Sequence, residues 1–121
     1  MNTAALDQRP VVITGAGPVA ADVTASPVVD VVVPVYNEEH VLEASVERLH
    51  RYLSSGFPFS WVITIADNAS TDATAAVARR LAGRLDRVRV VELDRKGRGL
   101  ALRTAWMGSD AAVVAYMDAD L

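Results

Sequence analysis

From residue 28 to the end of the chain, apolar segments of two different periods alternate. Val28 to Val35 is an almost unbroken β-branched run, which is typical of a strand that is covered on both faces of a sheet. The next segment, Glu38 to Ser55, carries its apolar residues on one helical face and ends at Gly56, a common helix terminator. Repetition of this pattern predicts parallel strands, right-handed crossovers and helices on both faces of the sheet.

The remaining segments follow the same order. The other predicted strands are Trp61 to Ala66, Val88 to Leu93 and Ala111 to Met117, and the other predicted helices are Ser70 or Thr71 to Leu85 and Leu100 to Met107. The predicted inward residues are Leu42, Val46, Leu49 and Leu53 of the first helix, and Ala73, Val77 and Leu81 of the second. We therefore predict an α/β domain with a mostly parallel sheet in β-α-β order, truncated after the fourth strand.

Residues 1–27 lack a helical stripe, which predicts a flexible N-terminal extension before a domain that spans residues 28–121. Within the extension, a strand-like run, Val11 to Thr14, precedes Gly15 to Ala20, which matches the dinucleotide fingerprint G-x-G-x-x-A. A crossover helix needs about ten or more residues, and Pro18 to Ser26 leaves too little room before the next strand. This context argues against a nicotinamide or flavin site.

The composition limits the possible functions. With 121 residues, 51% of them hydrophobic, and a net charge of −3, the chain fits one globular domain and does not favour a nucleic-acid partner. It has no cysteine, which excludes disulfides and thiolate zinc sites, and we interpret His40 and His50 as solvated helix residues. No apolar run approaches the roughly 20 residues that cross a bilayer.

The basic residues are concentrated in one part of the chain. Nine of the twelve Lys and Arg residues lie between Arg79 and Arg103. Such a local excess suits a polyphosphate or an anionic membrane surface. We interpret four of these residues as a solvated helix face: Arg79, Arg80, Arg84 and Arg87.

A polar cluster follows each of the four predicted strands. The clusters are Tyr36-Asn37-Glu38-Glu39, Asp67-Asn68-Ala69-Ser70-Thr71-Asp72, Asp94-Arg95-Lys96-Gly97-Arg98-Gly99 and Asp118-Ala119-Asp120. Because the carboxyl ends of parallel strands meet at one edge, where open α/β sheets bind ligands, four clusters there favour a ligand site over ordinary turns.

The first three clusters suit a nucleoside diphosphate. Pro34 fixes the backbone at the strand end, and Tyr36 offers an aromatic wall for a base or ribose. Asp67 supplies a charged acceptor for a base N–H group. Lys96 to Gly99 combines cations with glycines that let backbone amides approach a phosphate, although a plain basic loop is the alternative.

The last cluster suits a divalent cation. Asp118 and Asp120 are two residues apart, so in an extended segment both carboxylates would point the same way. Their mutual repulsion calls for a proton or a hard cation that also binds phosphate oxygens. The alternative is an acidic turn after a buried strand.

Together, in this order, the four motifs resemble the nucleotide-binding half of family 2 glycosyltransferases, over Val28 to Leu121. Within that family the chain is similar to the dolichyl- or polyprenyl-phosphate sugar transferases. The resemblance implies a GT-A fold, a GDP- or UDP-sugar donor, Mg²⁺ or Mn²⁺, inversion at the sugar carbon, and a lipid-phosphate acceptor at the cytoplasmic face of the cell membrane. It also implies site roles: Pro34, Tyr36, Glu38 and Asp67 at the nucleoside, Lys96 and Arg98 near it or its phosphates, Asp118 near ribose or metal, and Asp120 on the metal.

Family members carry the acceptor site, and usually the membrane-docking elements, after the D-x-D motif. We therefore expect both beyond Leu121, assign no catalytic base, and expect residues 1–121 alone to be inactive. Two alternatives remain, a nucleotide-binding remnant without transfer activity and a nucleotidyltransferase. The latter class typically has a Gly-rich basic loop after its first strand, where this chain has Tyr36-Asn37-Glu38-Glu39.

Overall fold

The computed structural model describes residues 11–14, 27–95 and 97–119. The elements are β1 (Val11–Thr14), β2 (Val29–Val35), α1 (Leu42–Ser54), β3 (Trp61–Asp67), α2 (Thr74–Arg84), β4 (Val88–Leu93), α3 (Arg98–Met107) and β5 (Val113–Tyr116). All five strands form one sheet in the order β1-β4-β3-β2-β5. Strands β2 to β5 are parallel, which confirms the predicted α/β fold with a mostly parallel sheet.

The strand order reverses beside β2. The chain first moves outward from β2 to β3 and β4, and then returns to place β5 on the other side of β2. Helices α1 and α2 pack on one face of the sheet, whereas α3 packs on the opposite face. The neighbouring strands β2 and β5 therefore form the topological switch point of this sheet.

The continuous apolar run of β2 contributes to two hydrophobic layers. Val31, Val33 and Val35 face α1 and α2, whereas Val32 packs with Ala101 and the rest of the α3 layer. Successive strand residues point to opposite faces, so a strand covered on both sides needs apolar residues throughout. The four predicted inward residues of α1 are all buried: Leu42, Val46, Leu49 and Leu53.

Helix α2 begins later than the sequence pattern predicts. Ser70 and Thr71 lie before the helix, and the residue that precedes its first turn is Ala73. Val77 and Leu81 are buried as predicted, but Ala73 is exposed and Thr74 is buried in its place. The shift arises because hydrogen bonds to the loop after β2 occupy the polar residues that precede the helix.

Helix α1 also begins later, at Leu42 instead of Glu38. Residues 38–41 form a turn in which the amides of Val41 and Leu42 both donate to the Glu38 carbonyl, at 3.1 and 3.0 Å. Asn37, directly before this turn, has a φ of 50°, which is outside the helical region.

The fourth predicted strand, Ala111 to Met117, is shorter in the structure, where β5 spans Val113–Tyr116.

Part of the predicted N-terminal extension belongs to the sheet. Strand β1 pairs with β4 in antiparallel register, from Val11 opposite Leu93 to Thr14 opposite Val90. Its β-branched residues favour an extended strand, and β4 offers an open edge. An antiparallel strand cannot open a β-α-β dinucleotide unit, so the structural context of the glycine fingerprint is missing. The fingerprint itself, at residues 15–20, lies outside the described residues.

A buried polar network interrupts the apolar run of β2. Asp30 is fully buried, and its carboxylate accepts hydrogen bonds from Thr64 Oγ1 at 2.7 Å, Arg89 Nη2 at 2.8 Å and Ser109 Oγ at 2.7 Å. These partners lie on β3, on β4 and in the connection before β5. One carboxylate on β2 therefore links β2, β3 and β4 to the connection before β5.

The two histidines differ from each other in their surroundings. The side chain of His40 is 90% exposed, which confirms that it is solvated. The side chain of His50 is only 16% exposed, because its Nε2 lies 2.9 Å from Asp86 Oδ1 and its ring packs edge-on against Trp61. The interpretation of His50 as a solvated residue was wrong.

No helix in the described part of the chain is long and apolar enough to cross a membrane.

Candidate functional site

A cleft of about 240 Å³ opens at the carboxyl ends of β2 and β5. Its lining residues are Pro34, Val35, Tyr36, Glu38, Asn68, Asp118 and Ala119. Three of the four predicted polar clusters thus meet at the switch point, where open α/β sheets bind their ligands. Of the residues predicted for the site, the structure brings Pro34, Tyr36, Glu38 and Asp118 together in this cleft.

Asn37 holds the loop after β2 against the loop after β3. Its Oδ1 accepts hydrogen bonds from the amides of Thr71 at 2.8 Å and Asp72 at 3.2 Å, and its own amide donates to Ser70 Oγ at 2.9 Å. Asn adopts left-handed backbone conformations more readily than most residues, which suits its φ of 50°. The cleft residues on either side of Asn37 are therefore fixed relative to β3.

The first turn of α2 is capped by acidic side chains rather than by Ser70 or Thr71. Glu39 Oε1 accepts from the Ala73 amide at 2.8 Å, and Asp72 Oδ1 accepts from the Thr74 amide at 2.8 Å. Helix N-termini favour such carboxylates because their first amides lack partners within the helix. Asp72 therefore lies beside the positive end of the helix, just before its first turn.

Asp67 is buried at the end of β3, with 3% of its surface exposed. Ser70 satisfies its carboxylate in part, donating from Oγ to Oδ1 at 2.6 Å and from its amide to Oδ2 at 3.4 Å. Burial raises the pKa of Asp67, and the charges of Glu92 and Asp72 add to this effect, against the hydrogen bonds from Ser70. Asp67 does not line the cleft, so its role at a nucleoside stays a prediction.

Asn68 lines the cleft but was not among the predicted site residues. It is 6% exposed, its amide donates to the Val35 carbonyl at 2.8 Å, and its Oδ1 accepts from the Gly97 amide at 2.6 Å. The carboxamide therefore connects the cleft to the basic loop before α3. Its position directly after Asp67, in a polar cluster at a strand end, was the available sequence signal.

The basic loop approaches the cleft through Gly97. A Cβ atom at Gly97 would lie 3.3 Å from Leu100 Cβ, so the tight approach to α3 favours glycine. Arg98 is the first residue of α3, and Lys96 lies outside the described residues. The expected contacts of Lys96 and Arg98 with a nucleotide stay predictions.

Asp118 borders the cleft just after β5, and the chain then turns at Ala119. Strand β5 ends at Tyr116, so Asp118 lies just beyond the paired part of the strand, and the convergence of Asp118 and Asp120 stays a prediction. Ala119 is 2% exposed, and its carbonyl accepts a hydrogen bond from Ser45 Oγ on α1. Asp120 lies outside the described residues.

Hard oxygen donors line the cleft, in the carboxylates of Glu38 and Asp118 and the carboxamide of Asn68. Within the described ranges, no group of three or more His, Cys, Asp or Glu side chains could hold a metal ion. A complete coordination sphere would therefore need Asp120, ligand oxygens or water in addition. Mg²⁺ is commonly held in this way, by one or two carboxylates together with phosphate oxygens.

The chain is similar to known glycosyltransferases. Residues 30–121 match the profile of "Glycosyl transferase family 2". The chain is 37% identical to dodecaprenyl-phosphate galacturonate synthase from Rhizobium johnstonii over 92 residues. This alignment covers 74% of this chain and 27% of that protein. It is 32% identical to a dolichyl-phosphate beta-glucosyltransferase from Drosophila melanogaster, over 74% of this chain and 30% of the relative.

Among solved structures, the chain resembles the mannosyltransferase PcManGT from Pyrobaculum calidifontis in complex with GDP-Man and Mn²⁺. The TM-score is 0.66 at 27% identity, and the match covers 97% of this chain and 32% of the mannosyltransferase. This similarity confirms the predicted GT-A fold. The chain spans about a third or less of the length of each of these proteins. On the family match over residues 30–121, the chain belongs to glycosyl transferase family 2.

Proposed function

We propose that the complete protein transfers a sugar from a nucleotide-diphospho-sugar to a polyprenyl or dolichyl phosphate, with inversion at the sugar carbon. The observation that carries this proposal is the cleft at the switch point, where Tyr36, Asn68 and Asp118 meet from three separate loops. The names of the relatives support a lipid-phosphate acceptor, and the GDP-Man of the mannosyltransferase supports a nucleotide-sugar donor, GDP- or UDP-linked.

The nucleoside would lie at the carboxyl end of β2. Pro34 and Tyr36 supply the wall of the cleft, and a tyrosine ring can pack against a base or ribose. Glu38 lies on the same wall and can accept hydrogen bonds from hydroxyl groups. Asp67, one residue before Asn68, would accept a base N–H group with the carboxylate lone pairs that Ser70 leaves open.

The donor set of the cleft fits a hard divalent cation. Asp118 and Asp120 would hold Mg²⁺ or Mn²⁺, and the Mn²⁺ of the similar mannosyltransferase supports this choice. When bound, the ion would neutralise charge that develops on the departing nucleoside diphosphate. Lys96 and Arg98 would add positive charge beside the same phosphates, next to the Gly97 amide that Asn68 holds.

The reaction needs no general base from this chain. A lipid phosphate is already ionised at neutral pH, so catalysis can rest on positioning and on stabilising the leaving group. We propose that acceptor recognition and membrane contact reside outside residues 1–121, that residues 1–121 alone lack transfer activity, and that the complete protein acts at the cytoplasmic face of the cell membrane. No nucleic-acid partner is proposed.

A transfer assay with the full-length protein tests this function. Purified protein would be incubated with labelled GDP- and UDP-sugars, a polyprenyl phosphate and Mn²⁺, and the lipid fraction would be analysed. We expect labelled sugar in the lipid fraction with one donor class. Nucleotide binding without transfer would instead favour a binding protein. In a parallel incubation with a nucleoside triphosphate and a sugar phosphate, release of pyrophosphate would favour a nucleotidyltransferase.

A further inference from the structure

We propose that Ser45 is a positioning residue that holds the turn of the acidic pair at the cleft. This inference rests on the proposed function, in which Asp118 and Asp120 hold a divalent cation. Ser45 lies in the first turn of α1, and its Oγ donates a hydrogen bond to the carbonyl of Ala119, 74 positions later in the sequence. Ala119 is the residue between the two acids, so this bond acts on the peptide that joins their backbones.

The turn needs such an anchor because it lies beyond the sheet. Strand β5 pairs with β2 from Val29 opposite Val113 to Val32 opposite Tyr116. The next ladder hydrogen bond runs from the Met117 amide to the Val32 carbonyl at 3.0 Å. Asp118 and Ala119 follow this bond, where the chain turns away from its strand partner, and Ser45 provides a contact to the turn from a different element.

Ser45 is itself on a rigid support. The residues on either side of it on the inner face of α1, Leu42 and Val46, are 0% and 1% exposed and belong to the main core cluster. Ala119 belongs to the same cluster, so its methyl group packs into the core while its carbonyl contacts Ser45. Two contacts of different chemistry thus fix both the position and the orientation of the turn.

The expected effect is on metal affinity rather than on folding. Ser45 is only half-buried and lies in a helix, where alanine has the higher helical propensity. It also lines a groove of about 340 Å³ beside Asp118, from which water can reach the Ala119 carbonyl once the hydroxyl is removed. By contrast, residues that orient metal ligands typically change affinity by about 10- to 100-fold when mutated.

Mn²⁺ titration of the full-length protein, followed by the electron paramagnetic resonance signal of free Mn²⁺, tests this inference. Three variants would be compared with the wild type: Ser45→Ala, Ser45→Thr, which keeps the hydroxyl, and Ser55→Ala. Ser55 is the matched control because its hydroxyl also donates to a backbone carbonyl, that of Tyr52 at 2.9 Å, but at the other end of α1.

We expect Ser45→Ala to weaken Mn²⁺ binding by about tenfold, the lower end of the range for residues that orient metal ligands. Its thermal unfolding midpoint should be unchanged. Ser45→Thr and Ser55→Ala should bind Mn²⁺ like the wild type. Two outcomes would overturn this inference but not the proposed function. One is equal Mn²⁺ binding by Ser45→Ala and the wild type, and the other is a loss of Mn²⁺ affinity that is fully explained by a loss of folded protein. Absence of Mn²⁺ binding by the wild type would overturn the metal assignment in the proposed function as well.

Discussion

Asp67 ends β3 and Asp72 lies in the loop that follows, and their surroundings shift their pKa values in opposite directions. Burial raises the pKa of Asp67 at the end of β3. At Asp72, desolvation also acts to raise the pKa, but hydrogen bonds from the hydroxyl and amide of Thr74 outweigh it, so the pKa lies below its usual value. Asp67 is thus a buried acceptor near the cleft, whereas Asp72 is a stable anion at the start of α2.

This difference predicts separate effects of two alanine variants in the full-length protein. Asp67→Ala should weaken nucleoside diphosphate binding by about 1.5 to 3 kcal/mol, the range for a hydrogen bond to a charged group. Asp72→Ala should leave binding unchanged and cost a little stability, because it removes a cap of α2. Calorimetric titration and thermal unfolding would separate the two effects, and equal losses of binding in both folded variants would contradict the assignment.

The raised pKa of Asp67 also predicts a pH dependence of stability. An acid whose pKa is higher in the folded state contributes stability below its unfolded value, which is near 3.8, and loses that contribution as pH rises through the folded pKa. Asp67→Asn cannot ionise, so we expect it to gain stability relative to the wild type between about pH 4 and pH 7. Urea unfolding of both proteins at the two pH values measures this gain, and a pH-independent difference would refute it.

Among the secondary-structure elements, the Asp30 network ties β2, β3 and β4 to the connection that leads into β5. Asp30→Ala would leave Arg89 without its buried partner, and removal of one member of a buried pair costs about 3 to 5 kcal/mol. Arg84→Ala is the control, since Arg84 is 44% exposed in its pairs with Glu43 and Glu47 and surface pairs contribute about 1 kcal/mol or less. Denaturant unfolding measures the loss of unfolding free energy in each variant. We expect a clearly larger loss for Asp30→Ala, and equal losses in the two variants would contradict a stabilising role of the network.

The order and type of the helices and parallel strands could be predicted from periodicity, because each strand and helix face must be apolar where it is covered. The helix starts could not. Before α1 and α2, polar residues that the sequence pattern assigns to the helix starts instead form hydrogen bonds between two loops. For example, Asn37 Oδ1 accepts from the amides of Thr71 and Asp72. Such contacts join residues more than 30 positions apart, so no local pattern reveals them. The pairing of β1 with β4 also joins segments that are far apart in the sequence, so it could not be predicted either.

The candidate site was predictable where strand ends carry chemistry. Pro34 lies near the end of β2, Tyr36 and Glu38 follow that strand, and Asp118 follows β5. The topology brings these residues to one edge of the sheet. Two other contacts escaped sequence analysis because their partners lie far along the chain. Asn68 reaches Gly97 across 29 positions, and Ser45 reaches Ala119 across 74.

For the whole molecule, activity should depend on a divalent cation. We expect excess EDTA to abolish sugar transfer by the full-length protein, added Mg²⁺ or Mn²⁺ to restore it, and Asp120→Asn to remove most of it. The physical reason is that two acids at one site need a cation, which then neutralises the leaving diphosphate. The transfer assay measures all three effects, and full turnover in excess EDTA would contradict the metal assignment.

The account depends on a nucleotide site at the junction of β2 and β5, at the carboxyl edge of the sheet. Two aromatic residues test its location, because Tyr36 lines the cleft whereas Phe59, which is 54% exposed, lies in the loop before β3 at the opposite edge. Loss of a stacked ring typically costs about 1 to 3 kcal/mol per base. Tyr36→Ala should therefore lower nucleotide affinity, whereas Phe59→Ala should not.

Calorimetric titration of the full-length protein with GDP and UDP, in Mn²⁺ and in EDTA, is the most direct measurement. The account predicts that the wild type and Phe59→Ala bind one of the two nucleotides equally well in Mn²⁺, that Tyr36→Ala binds it more weakly, and that EDTA reduces binding in all three. Binding of neither nucleotide, or equal binding by Tyr36→Ala and Phe59→Ala, would contradict a nucleotide site at this cleft.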